Sequence, residues 1–136
     1  MIVAKEISTD TSSALDINVE MKVSHLLSGH GNFPLVFGYI SPNILLMQNL
    51  GTLSYNGFAV RTVSDVLTKK ILNQPSWVLI ATQLVKAIIH MHSLFILHND
   101  IKNDNIIVNT RKTSATIIDF GKATSLYHPY KYNLSN

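Results

Sequence analysis

Trp77, Ile80, Ala81, Leu84, Ile88 and Met91 recur at three- and four-residue steps, the spacing that lines side chains along one face of an α-helix. Pro75 and Ser76 precede them, and proline is tolerated in a first helical turn because its missing N–H would have no partner there. Helices in water gain most of their stability from packing, so a stripe of this kind has to be buried. The remaining sequence must therefore build a core around a helix over 76–96. At 136 residues and 46% hydrophobic content, one globular domain can do so.

Composition removes several classes of function. The chain has no cysteine, which excludes a disulfide framework and a thiolate metal site. Lys5 interrupts the start, "MIVAKEIS", before a signal peptide's apolar stretch can form. No run nears the roughly 20 apolar residues of a membrane-spanning helix. The formal net charge of +3 comes from dispersed basic residues, of which only Lys69-Lys70 and Arg111-Lys112 are adjacent. That pattern argues against nucleic acid as a partner and leaves a mild positive bias that suits a nucleotide phosphate. An intracellular, cytoplasmic protein without a membrane partner is the expectation.

Along the chain, "MIVAKEI" reads as a strand and "STDTSS" as a polar turn. Ser13 and Asp16 have the spacing of a capping box, and Leu15, Val19, Val23, Leu26 and Leu27 form a helical stripe ending at Gly29. "PLVFGYI" and "NILLMQ", joined at Ser41-Pro42, read as two strands, and "GTLSYNG" as a polar connector. Residues 61–72 suit a short helix. "NIIVN" and "ATIID" read as two brief strands around "TRKTS". His90 and His92 share no helix face, and His25, His30 and His128 have no partner spacing, so no histidine metal site is expected.

Between the long helix and this hairpin lies "ILHNDIKNDNIIVN", a polar loop held by apolar flanks, the kind of place where reactive side chains sit. Asp100, Asn105 and Asp119 offer hard oxygens suited to Mg²⁺, and Lys102 offers a cation for a phosphoryl oxygen. Four residues between Asp100 and Asn105 let one loop aim a carboxylate at a hydroxyl and an amide at a metal. Asx turns alone also produce Asn- and Asp-rich loops, so each motif taken singly has a purely structural reading.

Taken in order, the motifs resemble those of the eukaryotic-type protein kinase family. "HNDIKNDN" is similar to the catalytic-loop signature H-R-D-L-x-x-x-N, and Asp119, Phe120 and Gly121 match its D-F-G. "VAKEI" resembles the V-A-I-K strand with one residue fewer between Ala and Lys. The resemblance implies roles for individual residues. Asp100 would receive the proton of the attacking hydroxyl and Lys102 would stabilise the transferring γ-phosphoryl, while Asn105 and Asp119 would hold Mg²⁺. Lys5 would bind the α- and β-phosphates of ATP with Glu20 as its ion-pair partner. Met47 would be the gatekeeper, the backbones of Gln48 and Leu50 would face adenine, and Ala4 and Ile107 would sandwich it.

The implied fold class is α+β: part of a bilobal kinase-like fold, with a small N-lobe sheet and one helix (1–47), a hinge and connector (48–57) and the start of a mainly helical C-lobe (58–136). The implied function is transfer of the ATP γ-phosphoryl to a Ser or Thr hydroxyl, with Lys102 favouring the serine/threonine type.

Three departures qualify it. Four residues precede Lys5, too few for a Gly-rich loop, and fifteen follow Gly121 without an A-P-E motif, so weak or absent turnover and exposed apolar surface are expected of this chain as a fragment. Asn99 replaces the loop's Arg, so a phosphate-triggered switch through that position is not expected. The competing readings are a non-catalytic nucleotide- or partner-binding remnant and a small-molecule kinase of the aminoglycoside or choline type.

Overall fold

The computed structural model describes residues 1–8, 14–54, 57–59, 61–109 and 113–126. The Ser13 cap, most of "STDTSS", the side chain of Leu15, Arg111-Lys112 and His128 lie outside the described residues. The elements are Ile2–Glu6 (β1), Ala14–Leu27 (α1), Val36–Ser41 (β2), Ile44–Gln48 (β3), Thr52–Ser54 (β4), Gly57–Ala59 (β5), Val63–Lys69 (α2), Gln74–Ser93 (α3), Ile96–Leu97 (β6), Ile106–Val108 (β7), Ala115–Ile117 (β8) and Thr124–Ser125 (β9). A 3₁₀ turn, Asn103–Asn105, precedes β7. This is an α+β, kinase-like arrangement: a small sheet with one helix, then a region built on helices and hairpins.

The sheet has the order β1-β3-β2, antiparallel throughout. Its register sets Lys5 opposite Leu45 and Ala4 opposite Leu46. Alternation along β3 buries Leu45, which packs with Ile7, Ile17 and Met21, so the sheet lies against one side of α1. The other side of α1, Val19, Val23 and Leu27, enters a second core with Ala87, Met91, Ile117 and Phe120. Thus α1 is buried on two sides, and Glu20 is carried in between at 5% exposure. Leu26 departs from the expected stripe and is exposed, because the buried row is 19-23-27 and position 26 turns away from it. Gly29 ends the helix at a φ of +91°, a conformation that glycine adopts without Cβ strain.

The long helix starts with Asn73 as N-cap, its side chain accepting from Ser76 N–H at 3.0 Å. Its buried row is Ile80, Ala87 and Met91, with Trp77, Leu84 and Ile88 partly covered. Ala81, expected in the stripe, faces out. The helix stops at Ser93, short of 96, since Leu94 caps it and Phe95 takes a φ of +56° that turns the chain into β6. The stretch read as a polar connector carries the β4–β5 pair. A capping box forms at Thr62 and Asp65, and Thr62 also bridges to Ile107, so α2 begins where it can steady β7.

The two regions are tied together at Asn32. Its side chain donates to Ala115 O at 2.8 Å and its carbonyl accepts from Ile117 N–H at 2.9 Å, extending the β7–β8 hairpin. Beside it, His30 stacks on His90 with ring centroids 4.1 Å apart, a partnership that sequence spacing did not reveal. Among the described residues no helix is long and apolar enough to cross a membrane.

Two outcomes are expected. Burial, and then His90, hold the His30 imidazole below its ordinary value of 6.5, and its buried Nδ1 has no hydrogen-bond partner among the described residues. The unfolded chain therefore takes up a proton that the fold resists, and stability is full above that value and declines as pH falls. Melting temperature should drop between about pH 7.5 and about pH 5.5, and His30→Phe should lessen the drop. On α3, Val78, Val85 and Ile89 are 60%, 57% and 62% exposed. Val85→Glu with Ile89→Lys should raise the soluble fraction in sedimentation assays without lowering the melting temperature.

Candidate active site

The catalytic-loop stretch is positioned by His98, which is 2% exposed. Its Nδ1 accepts the Asp100 N–H at 3.3 Å, so the proton resides on Nε2, which donates to the Ile118 carbonyl at 3.0 Å. One buried ring thus fixes the start of the loop and the residue before Asp119. Asn99 takes a φ of +62°, a region that Asn occupies more readily than most residues. Its amide donates to Lys122 O at 3.1 Å and to Thr124 Oγ1 at 3.0 Å. Pairing of β6 with β9 completes this clasp.

Asp100 is the centre of a charged cluster. Its Oδ2 accepts from the Asn105 amide at 3.2 Å and lies 3.4 Å from Lys102 Nζ. Its Oδ1 lies 3.2 Å from Lys122 Nζ. Lys122, and then Lys102, hold the carboxyl below its ordinary value, so it is a carboxylate at neutral pH, ready to accept a hydrogen bond. Asn105 is buried, and its NH₂ also donates to Asp100 O at 3.0 Å. With its nitrogen committed there, its amide oxygen is left as a hard donor.

Asp119 comes from the end of the hairpin at a φ of +67°, a backbone state that costs a non-glycine residue about 1 kcal/mol or more and that clusters at functional sites. Phe120, 4% exposed, anchors it, packing between His98 and Phe33 with ring centroids 5.1 Å and 6.1 Å away. Lys5 Nζ makes a 2.6 Å contact with Glu20 Oε1 and lies 3.9 Å from Asp119 Oδ1. A Cβ at Gly121 would lie 3.3 Å from Asp119 Oδ1 and 3.5 Å from Glu20 Oε2. Glycine leaves room there for the two carboxylates.

The remaining sequence-selected residues have these places. Ala4 is exposed on β1, Met47 packs against the sheet core opposite Val3, and Ile107 is buried on β7. Gln48 N–H donates to Leu35 O at 2.8 Å. Leu50 follows, half-buried. The structure brings Lys5, Glu20 and Asp119 into one contact set and Asp100, Lys102 and Asn105 into another. The sets are joined by the Ile118 N–H to Asn105 O bond of 3.0 Å. Lys122 was missed, since a single lysine has no pattern; its place directly after Asp119-Phe120-Gly121 was the available signal.

A family model described as protein kinase domain matches residues 3–135. The chain belongs to the eukaryotic-type protein kinase family. This kinase chain is 30% identical over 125 residues to the serine/threonine-protein kinase nekl-2 of Caenorhabditis elegans, covering 86% of the chain and 33% of the relative. It is 47% identical over 47 residues to the serine/threonine-protein kinase prpf4B of Dictyostelium discoideum, covering 35% of the chain and 6% of the relative. The kinase chain therefore spans a third or less of the length of these relatives.

One result should separate the two lysines on Asp100. In Lys122→Ala the Asp100 carboxyl should move up toward its ordinary value of 3.8, as followed by carbon-detected NMR titration. The carboxyl is more acidic in the fold, so the pairing stabilises the kinase chain above that value and fades as pH falls through the folded titration.

Proposed function

We propose that the chain forms the nucleotide site and catalytic loop of a serine/threonine-type protein kinase that moves the γ-phosphoryl of ATP to a Ser or Thr hydroxyl. In this reading residues 1–47 are the small lobe, 48–57 the hinge and connector, and 58–136 the large-lobe portion. The observation that carries it is the contact set of Lys5 with Glu20 at 2.6 Å and Asp119 at 3.9 Å. It joins residues 114 positions apart in sequence in the order that phosphate binding requires.

Each residue then has a task. Glu20 holds the Lys5 ammonium out of β1 so that it meets the α- and β-phosphates. The adenine ring lies between Ala4 and Ile107, behind Met47, and reads the backbone of Gln48 and Leu50. Asp100 accepts the proton of the attacking hydroxyl as the new oxygen–phosphorus bond forms and the bond to the β-phosphate oxygen breaks, releasing ADP. Lys102 offsets charge on the transferring group.

Asn105 and Asp119 would hold Mg²⁺. Their amide and carboxylate oxygens are the hard donors that ion prefers, and among the described residues no three His, Asp or Glu form a complete cage, so phosphate and water oxygens would complete its shell. When bound, the ion neutralises phosphate charge.

The test is Mg²⁺-dependent ATP binding by calorimetry. The chain should bind, and Asp119→Asn should weaken binding about tenfold or more, the loss expected for a charge-assisted contact. Equal binding by both proteins would contradict the metal assignment. Binding without turnover by a chain extended to the relatives' length would favour the non-catalytic reading.

A further inference from the structure

We infer that Lys122 selects the acceptor, favouring a Ser or Thr flanked by an anionic side chain. The inference rests on the catalytic-loop reading above and adds a substrate preference to it. Asp100 has two oxygens. Oδ2 is engaged by Asn105 at 3.2 Å and by Lys102 at 3.4 Å, which leaves Oδ1 as the oxygen open to an acceptor hydroxyl. Lys122 Nζ occupies that oxygen at 3.2 Å. An incoming hydroxyl competes with it for that oxygen.

Displacement is easy, because the Lys122 side chain is 67% exposed and exposed ion pairs contribute little to stability. The backbone beneath it does not follow, since Asn99 holds Lys122 O at 3.1 Å and Thr124 Oγ1 at 3.0 Å. The freed ammonium therefore stays tethered beside the hydroxyl, within one side-chain length of the residue next to it. Lys102 adds a second cation on the same carboxylate, so two ammonium groups flank Asp100. Asp119 belongs to the other contact set, where it shares Lys5 with Glu20 at 3.9 Å against 2.6 Å, and in the catalytic-loop reading its remaining charge would be met by Mg²⁺. An acceptor that brings its own anion replaces the lost Asp100 contact. A neutral or basic one leaves Lys122 unpaired or repelled.

The experiment uses fluorescence anisotropy of dye-labelled peptides on the full chain with Mg²⁺ and a non-hydrolysable ATP analogue, so that it does not depend on turnover. Four peptides carry one Ser each, flanked by Asp, phosphoserine, Ala or Lys. The Asp or phosphoserine peptide should bind about tenfold more tightly than the Ala peptide, the gain of one charge-assisted contact, and the stronger of the two identifies the anion. In Lys122→Glu the order should invert toward the Lys peptide. Equal binding of charged and neutral peptides, binding of none, or a preference that survives Lys122→Glu would overturn the inference. Nucleotide binding by each protein is measured alongside: its loss would sink the kinase-site reading, whereas its retention with a failed peptide result would sink the acceptor preference alone.

Discussion

The two ring nitrogens of His98 govern the geometry of everything downstream. A buried imidazole with one nitrogen accepting from the Asp100 N–H and the other donating to the Ile118 carbonyl leaves neither polar atom unsatisfied, and an orphaned one would cost about 1–3 kcal/mol. The ring therefore has one tautomer and one orientation. Both carboxylate-bearing segments are referenced to it, and Phe120 packs beside it with the rings tilted at 57°. The loop keeps its shape because its anchor lies in the core and not in solvent.

Charge is distributed on the same economy. Glu20 is carried into a crevice by a helix buried on two sides, where an unpaired carboxylate would be costly, and Lys5 is the cation that makes its burial tolerable. Lys5 reaches Asp119 as well, so the sheet, the helix and the hairpin meet at one ammonium group. Asp100 receives its cations from its own loop and from the segment after Gly121. One centre has two carboxylates on one ammonium and the other two ammoniums on one carboxylate, so the charges cancel only over the two together, and the Asn105–Ile118 backbone bond joins them.

Much of this was legible in the sequence because the chemistry demands residue types in order: His98, Asp100, Lys102 and Asn105 within one loop, then Asp119-Phe120-Gly121 after a hairpin. The long helix and α1 were legible from their period, though Ala81 on the one and Leu26 on the other face out, since a stripe of fixed spacing does not say which flank a neighbouring element covers. The β4–β5 pair and the two-residue β6–β9 pair carried no signal, because three residues or fewer cannot display alternation. Lys122 and the His30–His90 stack arise only from contacts far apart in sequence, 22 positions for the former. Asn99 was seen as a departure, but its work as a clasp needed the backbone of residues 122–124 in place.

The strand order β1-β3-β2 has one more implication. Among the described strands β1 lies at a rim, with Ile2 and Val3 at 53% and 37% exposure, and an open rim offers its backbone to any extended segment that comes alongside. Lys5 is the next-to-last residue of that ribbon. The stiffness of the ribbon, and with it how firmly the ammonium group is aimed, rests among the described strands on its pairing with β3.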